Sequence, residues 1–202
     1  FNCKTAVLAD LQGPKLRIGD VEDGAIINEG DVLTFTTNKV RGTAKLVYMN
    51  YQQFPQDVNA GERILLDDGK LMCEVLETNK KDTVVTKVIQ GGPLKSKKGV
   101  NLPNTKVSLP CLTKKDLEDV VVAMEEGVEW IGLSFVRDAA DVQELRKVIN
   151  DFGSFAKIVS KIEKPEAVVD IDNIIDATDA IMVARGDLGV EIPYSSVPMV
   201  QK

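Results

Sequence analysis

Lys161 and Glu163 set an ammonium and a carboxylate two residues apart at the end of the apolar run Ile158-Val159. Residues two apart on a strand share a face. On an exposed edge such a pair is worth at most about 1 kcal/mol. In a recessed site it is costly unless a ligand or metal uses it. A second carboxylate, Asp187, follows the next apolar run, "AIMVA" at 180–184. Carboxylates from successive strands offer hard oxygens to a divalent cation. Magnesium ordinarily takes one or two of them and completes its shell with water and substrate oxygens. Lys161 beside that ion would be placed to stabilise charge on a transferring phosphoryl group.

Other polar residues end apolar runs in the same way. "TAVLA" ends at Asp10, followed by Gln12, Lys15 and Arg17, and "WIGL" ends at Ser134, Phe135 and Arg137. "AIMVA" runs into Arg185, Gly186 and Asp187. Strand ends are often polar for no reason beyond solvent. Four that end in mixed acids and bases match the carboxyl-end face that carries the site of a (β/α) barrel. Arg185-Gly186-Asp187-Leu188-Gly189 reads as a glycine turn whose backbone N–H groups approach an anion. The three lysines of "GGPLKSKKGVNLP" read as a phosphate-contacting rim or as a solvated face.

Composition limits the chemistry. There is no histidine, so a histidine-based triad is excluded and acid–base work falls to Lys, Asp, Glu, Tyr, Cys or water. Three scattered cysteines, Cys3, Cys73 and Cys111, make neither a disulfide framework nor a zinc site, which favours a reducing cytoplasm. The net charge of −6 argues against nucleic acid and anionic membrane as partners, though not against a phosphorylated ligand. No apolar run approaches the 18 residues of a membrane span, and no signal-peptide pattern opens the chain. The 202 residues, 44% hydrophobic and 28% charged, suit a soluble globular protein of one large or two small domains. A start at Phe1, running almost at once into an apolar strand, is expected of a piece of a longer polypeptide.

Two textures position these residues. Over 14–110, short strand-like runs alternate with turn chemistry, including a hairpin around Asp67-Asp68-Gly69. This predicts a small all-β barrel or sandwich. Over 111–202, helices and buried strands alternate, which predicts a parallel sheet. Thr113 to Asp116 is a capping box opening a helix that Gly127 stops. Asp138 caps a second helix, which Gly153 stops. Pro165 opens a third, running through "EAVVDIDNII". "TAVLAD", within 1–13, belongs with these strands. The α/β sheet therefore starts, is interrupted by an all-β insert, and resumes. From the residues alone, three functions remain open. One is a magnesium-dependent barrel enzyme acting on a small phosphorylated or carboxylated substrate. The others are a metal-dependent aldolase or lyase working through an enolate, and an anion-binding β module without catalysis.

"ADLQGPKLRIG", "KKGVNLPN", "LSFVR", "SKIEKPEA" and "MVARGDLGVEIP", in that order, closely resemble pyruvate kinases across essentially the whole chain. The resemblance implies a partial (β/α)8 TIM barrel, strands three to six, interrupted after strand three by an inserted small β-barrel lid. It implies phosphoryl transfer from phosphoenolpyruvate to ADP, giving pyruvate and ATP in glycolysis, with Mg2+ or Mn2+. Lys161 matches the lysine that stabilises the transferring phosphoryl group, and Glu163 and Asp187 match the metal carboxylates. Ala184, Arg185 and Gly186 match the backbone that meets the substrate carboxylate. Arg17 matches an arginine at the nucleotide phosphates, and Phe135 an aromatic under the site. Asp68 and Lys98 fall in nucleotide-closing lid motifs, with Asp67 and Lys97 as immediate neighbours.

Potassium-dependent members read "DTKGPEIRT" where this chain reads "DLQGPKLRI". In that monovalent-cation region Asp10 is kept, Leu11 and Ile18 stand for Thr, and Lys15 stands for Glu. The Lys15 ammonium would supply the fixed charge of potassium, so activity without potassium is expected. The family's "MNFSHG" and "ATQML" motifs are not in this sequence. Little or no kinase activity is therefore expected of the 202 residues alone. Four strands of a closed barrel would expose edges and an apolar face, which predicts self-association. The parent is implied to be a cytoplasmic homo-oligomer, a tetramer by family resemblance.

Overall fold

The computed structural model describes residues 5–202. Cys3 and the first four positions of the expected opening segment lie outside the described residues. Strand β1 is Leu8–Asp10. The chain then builds β2 (Ile26–Ile27), β3 (Val32–Thr36), β4 (Leu46–Tyr48), α1 (Phe54–Asp57), β5 (Arg63–Leu66), β6 (Leu71–Thr78), β7 (Thr83–Gln90), β8 (Gly92–Pro93) and β9 (Val100–Asn101). After these come α2 (Lys114–Glu125), β10 (Trp130–Leu133), α3 (Ala139–Phe152), β11 (Lys157–Ile162), α4 (Pro165–Val169), α5 (Ile171–Ala177), β12 (Ala180–Val183), α6 (Arg185–Glu191) and α7 (Val197–Gln201). Contacts divide the chain into one unit of residues 1–14 with 109–202 and another of 15–108. Among the described residues no helix is long and apolar enough to cross a membrane.

The 15–108 unit is a six-stranded sheet, β4-β3-β7-β6-β5-β9, beside a two-stranded ribbon of β2 and β8. Its pairs are antiparallel except β3 with β4. Arg17 bridges Gly99 at the β9 edge and Ile18 bridges Met49 at the β4 edge. Residues 17 and 18 thus join the two outer strands and close the sheet on itself, which removes its edges. Asp67, Asp68 and Gly69 all take the left-handed conformation that a tight hairpin demands. Phe35, Phe54, Leu33, Ile64 and Leu66 fill the interior, with the two phenyl rings edge to face. The sequence signals missed β4 and α1, which carry little alternation of their own.

In the other unit the strands are parallel in the order β1-β10-β11-β12. Ile131, Leu133, Ile158 and Ile162 point to one face, where Val120, Val142, Leu145 and Ile149 of the helices cover them. Thr113 and Asp116 form the expected capping box on α2, and the same Asp116 carboxylate accepts the Gly13 N–H at 3.0 Å, anchoring the end of β1. Asp138 caps α3, and Gly153 ends it in the left-handed conformation. The single helix expected after Pro165 is two. Asp170 leaves helical geometry because its carboxylate accepts from Ala139 N–H of α3 at 3.0 Å and from Asn173 at 2.6 Å. The opposite face of the sheet is open. Leu8 is 40% exposed and Met182 41% exposed.

Candidate active site

The parallel order puts the carboxyl ends of four strands along one edge, so Asp10, Ser134, Lys161, Glu163 and the start of α6 gather there. Lys161 projects from β11, and its ammonium meets three strand ends. It lies 3.2 Å from Asp10 Oδ1, 2.9 Å from Ser134 Oγ and 3.1 Å from Glu163 Oε1. The Ser134 hydroxyl donates to the Leu11 carbonyl at 2.7 Å, which fixes its lone pairs towards Lys161.

Glu163 is only 3% exposed. Its Oε2 accepts the Phe135 N–H at 3.0 Å. Phe135 holds φ at +57°, a strained conformation for an aromatic residue. Its ring lies against Gly13, where an added Cβ would fall 2.7 Å from a ring carbon. Gly13 is itself left-handed at φ +67°. The strain therefore aims a backbone N–H at Glu163 and depends on a glycine one strand away. Phe135 serves through its backbone, a role that its aromatic type alone does not reveal.

Burial pushes the Glu163 carboxyl above its ordinary range, and the Asp187 charge adds to the rise. Lys161 and the Phe135 N–H oppose it without winning. Burial pulls the Lys161 ammonium down, but the attraction of Glu163 and Asp10 outweighs it and holds the group above its usual value. Two carboxylates, Asp10 and Glu163, thus flank one ammonium, and the Asp187 charge acts on Glu163. Among the described residues no set of three or more acidic, histidine or cysteine side chains forms a metal cage. The carboxylate pair of Glu163 and Asp187 fits a divalent ion that keeps most of its shell for water and substrate.

One expectation needs correction. Arg185 to Gly189 is no glycine turn but the opening of α6, and neither Gly186 nor Gly189 has a left-handed φ. Gly189 is small for packing, because a Cβ there would meet the Tyr194 ring at 2.7 Å. Asp187 therefore stands in the first turn of a helix, while Ala184 to Gly186 form its start. Leu11, placed in the monovalent-cation region, is buried in the hydrophobic core, and its carbonyl is taken by Ser134. Arg137 is also drawn away from ligand duty. It binds Asp141 through two nitrogens, at 3.1 and 2.8 Å, and donates to the Leu109 carbonyl.

The 15–108 unit gathers its own candidates. The Arg17 guanidinium donates to the Lys97 carbonyl at 2.9 Å, and Lys98 lies 2.8 Å from Asp67 Oδ1. The Lys98 hydrogen bond holds the Asp67 carboxyl below its ordinary range. The acid that joins the lysine loop is thus Asp67, whereas Asp68 faces solvent at the turn. Lys15 is exposed in this unit, and its carbonyl accepts Asn50 Nδ2 at 3.3 Å.

A parallel sheet covered by helices, with an acidic, lysine-centred site at its carboxyl edge, places the chain among α/β proteins. The family model for the pyruvate kinase barrel domain matches residues 1–202. A pyruvate kinase of Corynebacterium glutamicum is 45% identical over 199 residues, covering 97% of this chain and 41% of that protein. One of Mycobacterium tuberculosis H37Rv is 44% identical over 197 residues, with 97% and 42% covered. The crystal structure of a pyruvate kinase from Cryptosporidium parvum superposes with a TM-score of 0.90 at 37% identity, covering 97% of this chain and 42% of that one. The chain belongs to the pyruvate kinase family, and it spans about two fifths of the length of these relatives.

Proposed function

We propose that the complete polypeptide transfers a phosphoryl group from phosphoenolpyruvate to ADP in the cytoplasm. In this reading the parallel sheet is strands three to six of a (β/α)8 catalytic barrel, and residues 15–108 are an inserted lid. The observation that carries the reading is the excess of carboxylate around Lys161, which suits a cationic cofactor and a phosphoryl group together. Glu163 and Asp187 would hold Mg2+ or Mn2+, which supplies charge neutralisation for the phosphoryl oxygens. Lys161 stabilises charge on the phosphoryl group as its bond to the enol oxygen breaks and a bond to the ADP phosphate oxygen forms. Asp10 and Ser134 hold that ammonium in place. The Ala184 to Gly186 segment orients the substrate carboxylate through the Arg185 and Gly186 N–H groups, since the Ala184 N–H is donated to the Ile162 carbonyl, and Arg17 and Lys98 bind the nucleotide phosphates. Lys15 takes the role of potassium.

Pyruvate formation from phosphoenolpyruvate, ADP and magnesium, followed in sodium and in potassium buffer, tests this. Equal turnover in both supports the reading. A large potassium stimulation contradicts the role of Lys15. No turnover in either returns the site to an enolate lyase. The 202 residues alone are expected to be inactive and to associate through the open sheet face. A clean monomer by light scattering at high concentration contradicts the association.

A further inference from the structure

We infer that the buried ion pair between Lys164 and Glu191 is a positioning device that sets Asp187 against Glu163. The inference rests on the reading of those two carboxylates as the metal ligands. Lys164 Nζ lies 2.8 Å from Glu191 Oε1, with the side chains 13% and 1% exposed. Lys164 directly follows Glu163, just past the end of β11 and at the start of α4. Glu191 is the last residue of α6, four positions after Asp187, and residues so spaced lie along one face of a helix. One bond therefore joins the residue beside the first carboxylate to the helix that carries the second.

The helix needs such a tie. It has seven residues, two of them glycine, and no side-chain cap at its start. A helix this short does not hold itself in water, and glycine weakens it further. Leu188 is fully buried and Tyr194 packs on Gly189, which seats α6 against the unit. Those contacts are apolar and tolerate sliding or rotation. A buried ammonium–carboxylate pair cannot be drawn apart without leaving an uncompensated charge, which limits how far the helix can slide. A buried ion pair is also a poor source of stability relative to apolar residues of the same size. Its placement next to both metal carboxylates assigns it to geometry.

The test is Mn2+ affinity of the complete polypeptide, measured by electron paramagnetic resonance without substrate, alongside thermal unfolding. Glu191→Gln and Lys164→Met are each expected to weaken Mn2+ binding by about 10- to 100-fold, the usual effect of losing an outer-shell partner. The double variant Lys164→Met with Glu191→Met removes both charges and keeps apolar volume. It is expected to recover melting temperature while its Mn2+ affinity stays low. Variants that lower the melting temperature but leave Mn2+ affinity within twofold of wild type overturn the inference. So does a double variant that recovers both. Glu163→Gln and Asp187→Asn separate the two levels of the argument. If these lose Mn2+ binding while the pair variants do not, only the positioning role fails. If these keep it, the metal-site reading fails and takes the inference with it.

Discussion

Each unit of the chain carries a lysine–carboxylate pair of similar length, and the two carboxyls are pushed in opposite directions. Lys98 and Asp67 lie 2.8 Å apart on the β unit, with side chains 36% and 13% exposed, and Asp67 is held below its ordinary range. Lys161 and Glu163 lie 3.1 Å apart at the end of the parallel sheet, with side chains 15% and 3% exposed, and Glu163 is held above its range. The counter-charge is the same kind. Burial differs, and so does the company: Asp187 repels Glu163, whereas Lys70 adds a second attraction on Asp67. A near-surface pair with surplus positive charge is suited to meet an anion. A buried pair with surplus negative charge is suited to take a cation.

The units differ in the same sense as wholes, and substitution sharpens the contrast. The β unit is closed and internally packed, while the parallel sheet is packed on one face only. Phe35→Ala should therefore cost about 3–5 kcal/mol in urea unfolding of the 202 residues, diluted until monomeric, whereas Met182→Ala on the open face should there stay within about 0.5 kcal/mol. A large loss from Met182→Ala would mean that the open face is covered in the folded protein. Next in size is Gly13→Ala, which meets both a left-handed backbone and the Phe135 ring. It should cost roughly 1–3 kcal/mol and disturb the N–H that holds Glu163. Loss of the Asp138 cap by Asp138→Ala should cost about 1 kcal/mol.

The smallest effects are the pH slopes, which should have opposite signs. The folded pKa of Glu163 lies above its unfolded value. The charged form is thus disfavoured by folding, and metal-free stability should fall as pH rises from the ordinary carboxylate range through the folded pKa. Glu163→Gln should flatten that slope. The folded pKa of Asp67 lies below its unfolded value, so its contribution is present above the ordinary range and lost as pH falls through the folded pKa. Asp67→Asn should remove that loss. Urea midpoints measured across acidic pH compare the two, and slopes of the same sign would break the comparison.

What was legible in the sequence was what local chemistry determines. The Asp67-Asp68-Gly69 hairpin, the Thr113 capping box and the Asp138 cap depend on neighbours within four residues. Lys161, Glu163 and Asp187 stood out because charge followed directly on apolar runs. What escaped depends on partners far along the chain. Asp67 rather than Asp68 meets Lys98 because of the pairing that brings Gly99 beside Asp67 N–H. The Phe135 N–H reaches Glu163 only through a strained backbone set by Gly13. The helix at Arg185 was hidden by two glycines that disfavour helix in isolation, of which Gly189 is small for packing against Tyr194. The Asp170 break follows from a hydrogen bond to a helix 31 residues earlier.

The most direct measurement of the central claim sets the two lysines side by side in the complete polypeptide. Steady-state pyruvate formation is followed for Lys161→Met and Lys98→Met. If the buried pair acts on the transferring group as proposed, Lys161→Met should lower kcat by roughly 10²–10³-fold at saturating substrates. Lys98→Met should chiefly raise the KM for ADP. Equal losses of kcat, or a loss confined to Lys98→Met, would contradict the assignment of chemistry to the buried pair.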